Sequence, residues 1–142
     1  MPVEIPPPAV VIEDPQLAID ARILSVLHEM ENPNNVRTPG KHGELGPWQI
    51  TREAWEVVSS APFTVENAFG PEGRRAVESY IRVLRKVLRS NDRPDGPAAV
   101  AGAWNGGPSN AVRDTLPQSA LLYAIRFSNL YYAHDPRSSA GK

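Results

Sequence analysis

The sequence predicts a mainly α-helical single domain with little or no β structure. Three observations carry that expectation. Apolar residues recur at helical spacing in several segments, most clearly from Val77 to Leu88. No segment shows a convincing two-residue period. The chain has 142 residues, 41% of them hydrophobic, which suits one domain around one packed core.

The elements follow in order. Residues 1–15 hold five prolines and read as an extended arm, because proline lacks the amide donor and fixes its own φ. A first helix is expected from about Gln16 to Glu31, with Asp14 as N-cap, Pro15 at its first position, and Leu17, Ala21, Leu24 and Leu27 at helical spacing. Asn32 to Gly46 is rich in Asn, Pro and Gly and reads as a loop. Thr51 is placed to cap a short helix over Arg52 to Val58. The clearest helix spans about Pro71 to Arg89, with a stripe of Val77, Tyr80, Ile81, Leu84, Val87 and Leu88. Arg74, Arg75, Arg82, Arg85, Lys86 and Arg89 lie largely off that stripe and read as a solvated face. Another short helix follows Pro97 and ends near Trp104, and a last one runs from about Pro117 to Tyr132. The helical domain thus covers 16–133, and 134–142 reads as a polar tail. The Val77–Leu88 helix is expected to pack centrally against the helix ending at Glu31.

Composition excludes several function classes. The formal net charge is −1, which argues against nucleic acid as the main partner, since phosphate binding needs a basic excess. There is no cysteine, hence no disulfide, no thiolate nucleophile and no cysteine-built zinc site. His28, His42 and His134 form no recognisable ligand spacing, so neither a metal nor a cofactor is expected. The apolar run Ala9-Val10-Val11-Ile12 is far too short to span a membrane, and Glu4 without a basic stretch does not read as a signal peptide.

The candidate chemistry lies around Glu31. Glu29 and Glu31 both fall at the end of the first helix, and the helical face separates them. Four and seven residues before Glu31 stand Leu27 and Leu24, whereas Glu29 shares its face with Ser25 and Arg22. Glu31 therefore points toward the apolar interior. Apolar walls strip hydration from a carboxylate and raise its pKa, which a general acid needs near neutral pH. Alternatively, Glu31 merely ends the helix and bonds the loop backbone, although an anion there opposes the helix dipole.

Glu31 is followed by Gly43, Gly46 and Gln49 in a spacing of eleven, two and two intervening residues. With Gly46-Pro47-Trp48-Gln49-Ile50, then Ala103-Trp104-Asn105-Gly106-Gly107, then Leu122-Tyr123-Ala124-Ile125-Arg126-Phe127, the chain resembles the lysozyme-like superfamily, in particular lytic transglycosylases and invertebrate-type lysozymes. The three blocks stand in the family's order and span about Leu17 to Tyr132. The resemblance implies a lysozyme-like helical domain that cuts β-1,4 bonds of peptidoglycan or a related aminosugar polymer, and it favours a periplasmic or extracellular setting, while the sequence itself leaves the compartment open; a monomer is expected. It implies Glu31 as the acid and Gln49, Trp48, Trp104, Asn105 and Tyr123 as substrate-binding residues, and it offers the helix cations a weak attraction to anionic cell wall.

A retaining glycosidase adds a second carboxylate about 5 Å from the acid. Glu44 is the nearest candidate in sequence and Asp114 a more distant one, whereas transglycosylases manage with one glutamate. For Glu44 the competing role is a loop anchor; for Gln49 and Asn105 it is loop or helix-end hydrogen bonding; for the tryptophans it is the core, which claims Trp55 above all. Two positions depart from the family: Asn32 stands where a serine usually orients the acid, and Trp104 where tyrosine is common. The competing functions are a non-catalytic module that holds cell-wall glycan, and a structural domain of a phage or secretion assembly. An enzyme requires an open cleft beside Glu31; a scaffold tolerates a filled one.

Overall fold

The structure, a computed structural model, describes residues 15–133. Seven helices are present among them: α1 (Pro15–Glu31), α2 (Arg52–Val58), α3 (Val65–Phe69), α4 (Pro71–Ser90), α5 (Pro97–Gly106), α6 (Pro108–Arg113) and α7 (Gln118–Ala133). No strand occurs in the described residues, only one isolated antiparallel bridge between Leu45 and Ile50. The domain is therefore mainly α, and no described helix is long and apolar enough to cross a membrane. The Asp14 cap, the arm and the tail beyond Ala133 lie outside the described residues, as does the side chain of Leu17.

The helix starts follow local chemistry. Pro71, Pro97 and Pro108 occupy first-turn positions, where the missing amide costs nothing. Thr51 caps α2 by accepting from the Ala54 amide, and Thr64 caps α3 by accepting from the Asn67 amide. Helices α3 and α6 were not expected. With five and six residues they are too short to display a period, and only the Thr64 cap and Pro108 announce them.

Packing sharpens the expected faces. On α4, Val77, Ile81, Leu84 and Leu88 are buried, joined by Gly73 and Ala76, while Tyr80 is half-buried. On α1 the buried face is Ile23, Leu24, Val26 and Leu27; Ala21, expected on the stripe, is exposed. Helix α1 packs on α7 more extensively than on α4, and it also touches α5. It runs antiparallel to α7. Arg22 near its start lies over the Tyr131 ring at 4.7 Å, and Glu31 at its end meets Tyr123. The most extensive helix pair is α5 with α7. Gly106 makes it possible: a Cβ there would stand 2.8 Å from that of Ala120, so only glycine permits the approach.

Arg85 corrects the solvated-face expectation. Arg74, Arg75, Arg82, Lys86 and Arg89 are exposed, but the Arg85 side chain is only 12% accessible. Its guanidinium binds buried Asp20 of α1 at 3.1 Å and donates to the Asp95 carbonyl at 3.3 Å. Asp95 in turn accepts from Arg89 at 2.7 Å. Such a network is invisible to helical periodicity because one long cation slid under the charged rim. Removing one partner strands a buried charge, which typically costs about 3 kcal/mol or more. Asp20→Ala should accordingly lower unfolding free energy by about 3 kcal/mol in urea titrations. The paired replacement Asp20→Leu with Arg85→Met should recover most of the loss.

Candidate active site

Glu31 ends α1 and is half-buried, whereas Glu29 is exposed. The helical-face argument therefore places both side chains correctly. The Glu31 carboxyl does not bond the loop backbone. Its Oε1 accepts from the Tyr123 hydroxyl of α7 at 2.7 Å, a contact between residues 92 apart in sequence. Burial is the main influence on its acidity and raises its pKa above the ordinary value near 4.5. The Tyr123 hydrogen bond opposes that shift, the charge of Glu44 adds to it, and the Trp104 side chain opposes it more weakly. Tyr123 responds in kind. Burial first, then the neighbouring carboxylate, push its phenol far above the usual range. It stays protonated at any working pH and is a permanent donor.

The loop after Glu31 is fastened by Asn32, which is buried. Its Nδ2 donates to the carbonyls of Val36 and Gly46, and its Oδ1 accepts from the Val36 amide. The next landmark is a hairpin-like turn. Leu45 and Ile50 are buried and exchange both backbone hydrogen bonds, at 3.1 and 3.0 Å. Gly46 adopts φ +88°, and a Cβ on it would stand 2.8 Å from the Ala68 carbonyl oxygen. Gln49 also has positive φ, +54°, a conformation that costs a non-glycine residue about 1 kcal/mol. The turn sustains it: the Gln49 amide donates to the Gly46 carbonyl at 3.2 Å, and Gln49 Nε2 donates to the same oxygen at 2.9 Å.

Glu31, Glu44, Gln49, Trp104 and Asn105 line one groove of about 450 Å³, with His42 and Thr51. Tyr123, expected to bind substrate, is not among the groove-lining residues and meets the groove only through its hydrogen bond to Glu31. Glu44 is anchored, its Oε1 accepting from the His42 amide at 3.0 Å. Trp104 and Asn105 are delivered by the C-terminal turn of α5, whose Val100, Ala101 and Ala103 are buried. A second cavity of about 60 Å³ shares Gln49, Thr51 and Trp104 with the groove and is completed by Ile50, Ala54 and Tyr80. Tyr80 meets Trp104 edge-on at 5.8 Å, and burial raises its pKa.

Two expected residues fall elsewhere. Trp48 is not among the groove-lining residues. It is half-buried against the core, and its indole N–H donates to the Leu24 carbonyl at 2.8 Å, so it staples the turn to α1. Asp114 is exposed and terminates α6 in a left-handed conformation, so it too is outside the groove lining. Trp55 is core, 1% exposed. Conversely, Tyr80, Thr51 and His42 line cavities without having been singled out for them. Tyr80 could have been suspected as the one hydroxyl-bearing ring in an aliphatic stripe. Among the described residues no group of three His, Asp or Glu side chains is arranged to hold a metal.

The buried acid has a consequence for stability. A carboxyl whose folded pKa is raised binds its proton more tightly when folded than when unfolded. Its stabilising contribution is complete below about 4.5 and is lost as pH rises through the folded value. Glu31→Gln should therefore melt at higher temperature than the wild type at pH 7, and the gap should close as pH falls toward 4. The measurement is a thermal melt series across pH. A second outcome concerns the donor. Tyr123→Phe removes a bond that favours the anion, so the Glu31 midpoint in a carboxyl NMR titration should rise further.

No protein-family model, curated protein or solved structure matches this chain.

Proposed function

We propose that this domain cleaves β-1,4 bonds of peptidoglycan or a related aminosugar polymer, with Glu31 as general acid. The observation that carries the reading is a desolvated carboxyl, its pKa raised, on the wall of an open groove. General acid catalysis on a glycoside requires a proton held near neutral pH and delivered to the leaving oxygen. Tyr123 donates to Oε1, so the proton of the neutral acid belongs on Oε2. That division of labour fixes the rotamer and leaves one oxygen for the substrate.

The rest of the groove suits an aminosugar. Gln49 has its Nε2 engaged with Gly46, which leaves its carbonyl oxygen as an acceptor for an amide or hydroxyl of the glycan. Asn105 is exposed on the groove wall and offers both a donor and an acceptor. Trp104 supplies an apolar ring face beside them. Asn32, standing where a serine would orient the acid, is not an obstacle, since the Tyr123 hydroxyl does that work from another helix. Glu44 shares the groove and its charge raises the pKa of Glu31, which makes it the candidate to stabilise a developing oxocarbenium ion or to position water. An open groove beside Glu31 favours a glycan-handling domain over a purely structural one. A non-catalytic glycan-binding module would use the same wall without the proton.

Glu31→Gln should reduce turnover of purified cell walls about a hundred- to ten-thousand-fold while glycan binding persists, because the amide keeps the shape but has no proton to give. Glu29→Gln should leave turnover nearly unchanged. Turbidity loss with a parallel pull-down reads both, and mass spectrometry of the digest separates reducing ends from anhydro ends. Activity of the wild type should fall as pH rises through the raised Glu31 midpoint, since the acid form is then depleted. Wild-type binding without turnover would overturn the enzymatic reading in favour of the binding module.

A further inference from the structure

Asn32 follows Glu31 directly and is 7% exposed. A buried carboxamide is tolerated only when its donors and acceptor find partners. Asn32 finds all three. Its Nδ2 donates to the Val36 carbonyl at 2.9 Å and to the Gly46 carbonyl at 3.2 Å, and its Oδ1 accepts from the Val36 amide at 2.9 Å. The pair of bonds to Val36 closes the start of the loop into a ring. The bond to Gly46 reaches fourteen residues along the chain, to the turn that carries Gln49.

The Gly46 carbonyl is a junction. It receives the Asn32 carboxamide, the Gln49 amide and the Gln49 side chain. One oxygen therefore ties the residue after Glu31 to Gln49, another residue of the same groove lining. These bonds run to the loop and the turn, not to Glu31 itself. A serine could not replace them, because its side chain is one carbon shorter and offers a single donor.

We infer that Asn32 is a positioning residue that sets the separation of Glu31 and Gln49 by holding the Gly46–Gln49 turn against the end of α1. For turnover, the inference rests on the reading of Glu31 as the acid; for geometry, it stands on the hydrogen bonds alone. Asn32 thereby works alongside the Trp48 staple to Leu24 in bringing the turn that carries Gln49 beside Glu31.

The test uses Asn32→Ala, Asn32→Ser and Asn32→Asp in the full chain, with Ile81→Val as a destabilised control from the α4 core. Displacement of positioned groups by about an ångström costs up to a hundredfold in rate, so kcat on cell walls should fall ten- to a hundredfold in all three Asn32 variants. In the Ala and Ser variants the loosened turn admits water, and the Glu31 midpoint in a carboxyl NMR titration should move down toward its ordinary value. The side-chain amide signals of Gln49 should shift or broaden as well. Ile81→Val should lower the melting temperature and leave both NMR readouts and kcat in place. Asn32 variants that melt early like the control, yet keep the Glu31 midpoint and the Gln49 signals, would overturn the inference and reduce Asn32 to a stabilising residue. Should the wild type bind glycan without turnover, the acid reading fails and the two NMR readouts decide on Asn32 alone. Should Asn32→Ala fail to fold, the Ser variant carries them.

Discussion

The last turn of an α-helix exposes unpaired carbonyl oxygens and the negative end of the macrodipole, and Glu31 puts a carboxyl there. The fold compounds the difficulty by burying that carboxyl and facing it with Glu44. Three influences thus press the same group toward its neutral form. Only the Tyr123 hydroxyl and, more weakly, Trp104 act the other way. Everything of interest in the groove depends on this balance. A carboxyl in water at the same helix end would ionise at an ordinary value and would bond whatever amide lay nearest. Here the groove is walled by the loop and turn after α1 and by the end of α5, and the one strong donor is the Tyr123 phenol of α7, whose own pKa is raised by burial.

How far the sequence reveals this differs from part to part. The choice between Glu29 and Glu31 is legible from spacing alone, because a helix copies the polarity of residues four and seven positions back onto the one in question. The α2 boundaries follow from Thr51, and α4 follows from its stripe. Helices α3 and α6 escape because one turn and a half carries no periodicity. Ala21 misleads because an alanine fits either face, and the true buried face is set by Ile23 and Val26, which a narrow stripe ignores. Trp48 shows another limit. An indole in a glycine-rich turn is equally suited to a ligand wall and to the core, and only the position of the Leu24 carbonyl decides. The Tyr123–Glu31 bond and the Gly46 junction are three-dimensional facts without a local pattern.

The ionic network occupies a separate region. Asp20 precedes Glu31 by eleven residues on α1, about 16 Å along the helix axis. The buried pair with Arg85 therefore ties α1 to α4 well away from the groove. Screening by intervening protein and solvent keeps its charges from dominating the acidity of Glu31, and none of them is among the influences on it. Helix α1 thus carries a buried and a half-buried carboxylic residue with opposite treatments. Asp20 is given a guanidinium, whereas Glu31 is given a neutral phenol. The difference is chemical: a full positive charge would hold Glu31 as an anion, and a hydroxyl merely orients it.

That contrast links the groove to the packing of the last helix. Tyr123 reaches Glu31 because α7 lies antiparallel on α1, and Trp104 reaches the same carboxyl because α5 lies close on α7 at Gly106 and Ala120. If α7 draws away, Glu31 loses the Tyr123 donor and whatever shielding that ring gives it in one motion. Water then hydrates the carboxyl and the strongest upward influence on its pKa disappears together with the strongest downward one. The loss of cover is the larger effect, since burial outweighs the hydrogen bond. A loosened α7 accordingly moves the Glu31 pKa back toward its ordinary value and leaves the carboxyl free to rotate. The upward shift of the Glu31 pKa is in this sense a product of helix packing, and the carboxyl's surroundings are assembled from residues separated by most of the chain.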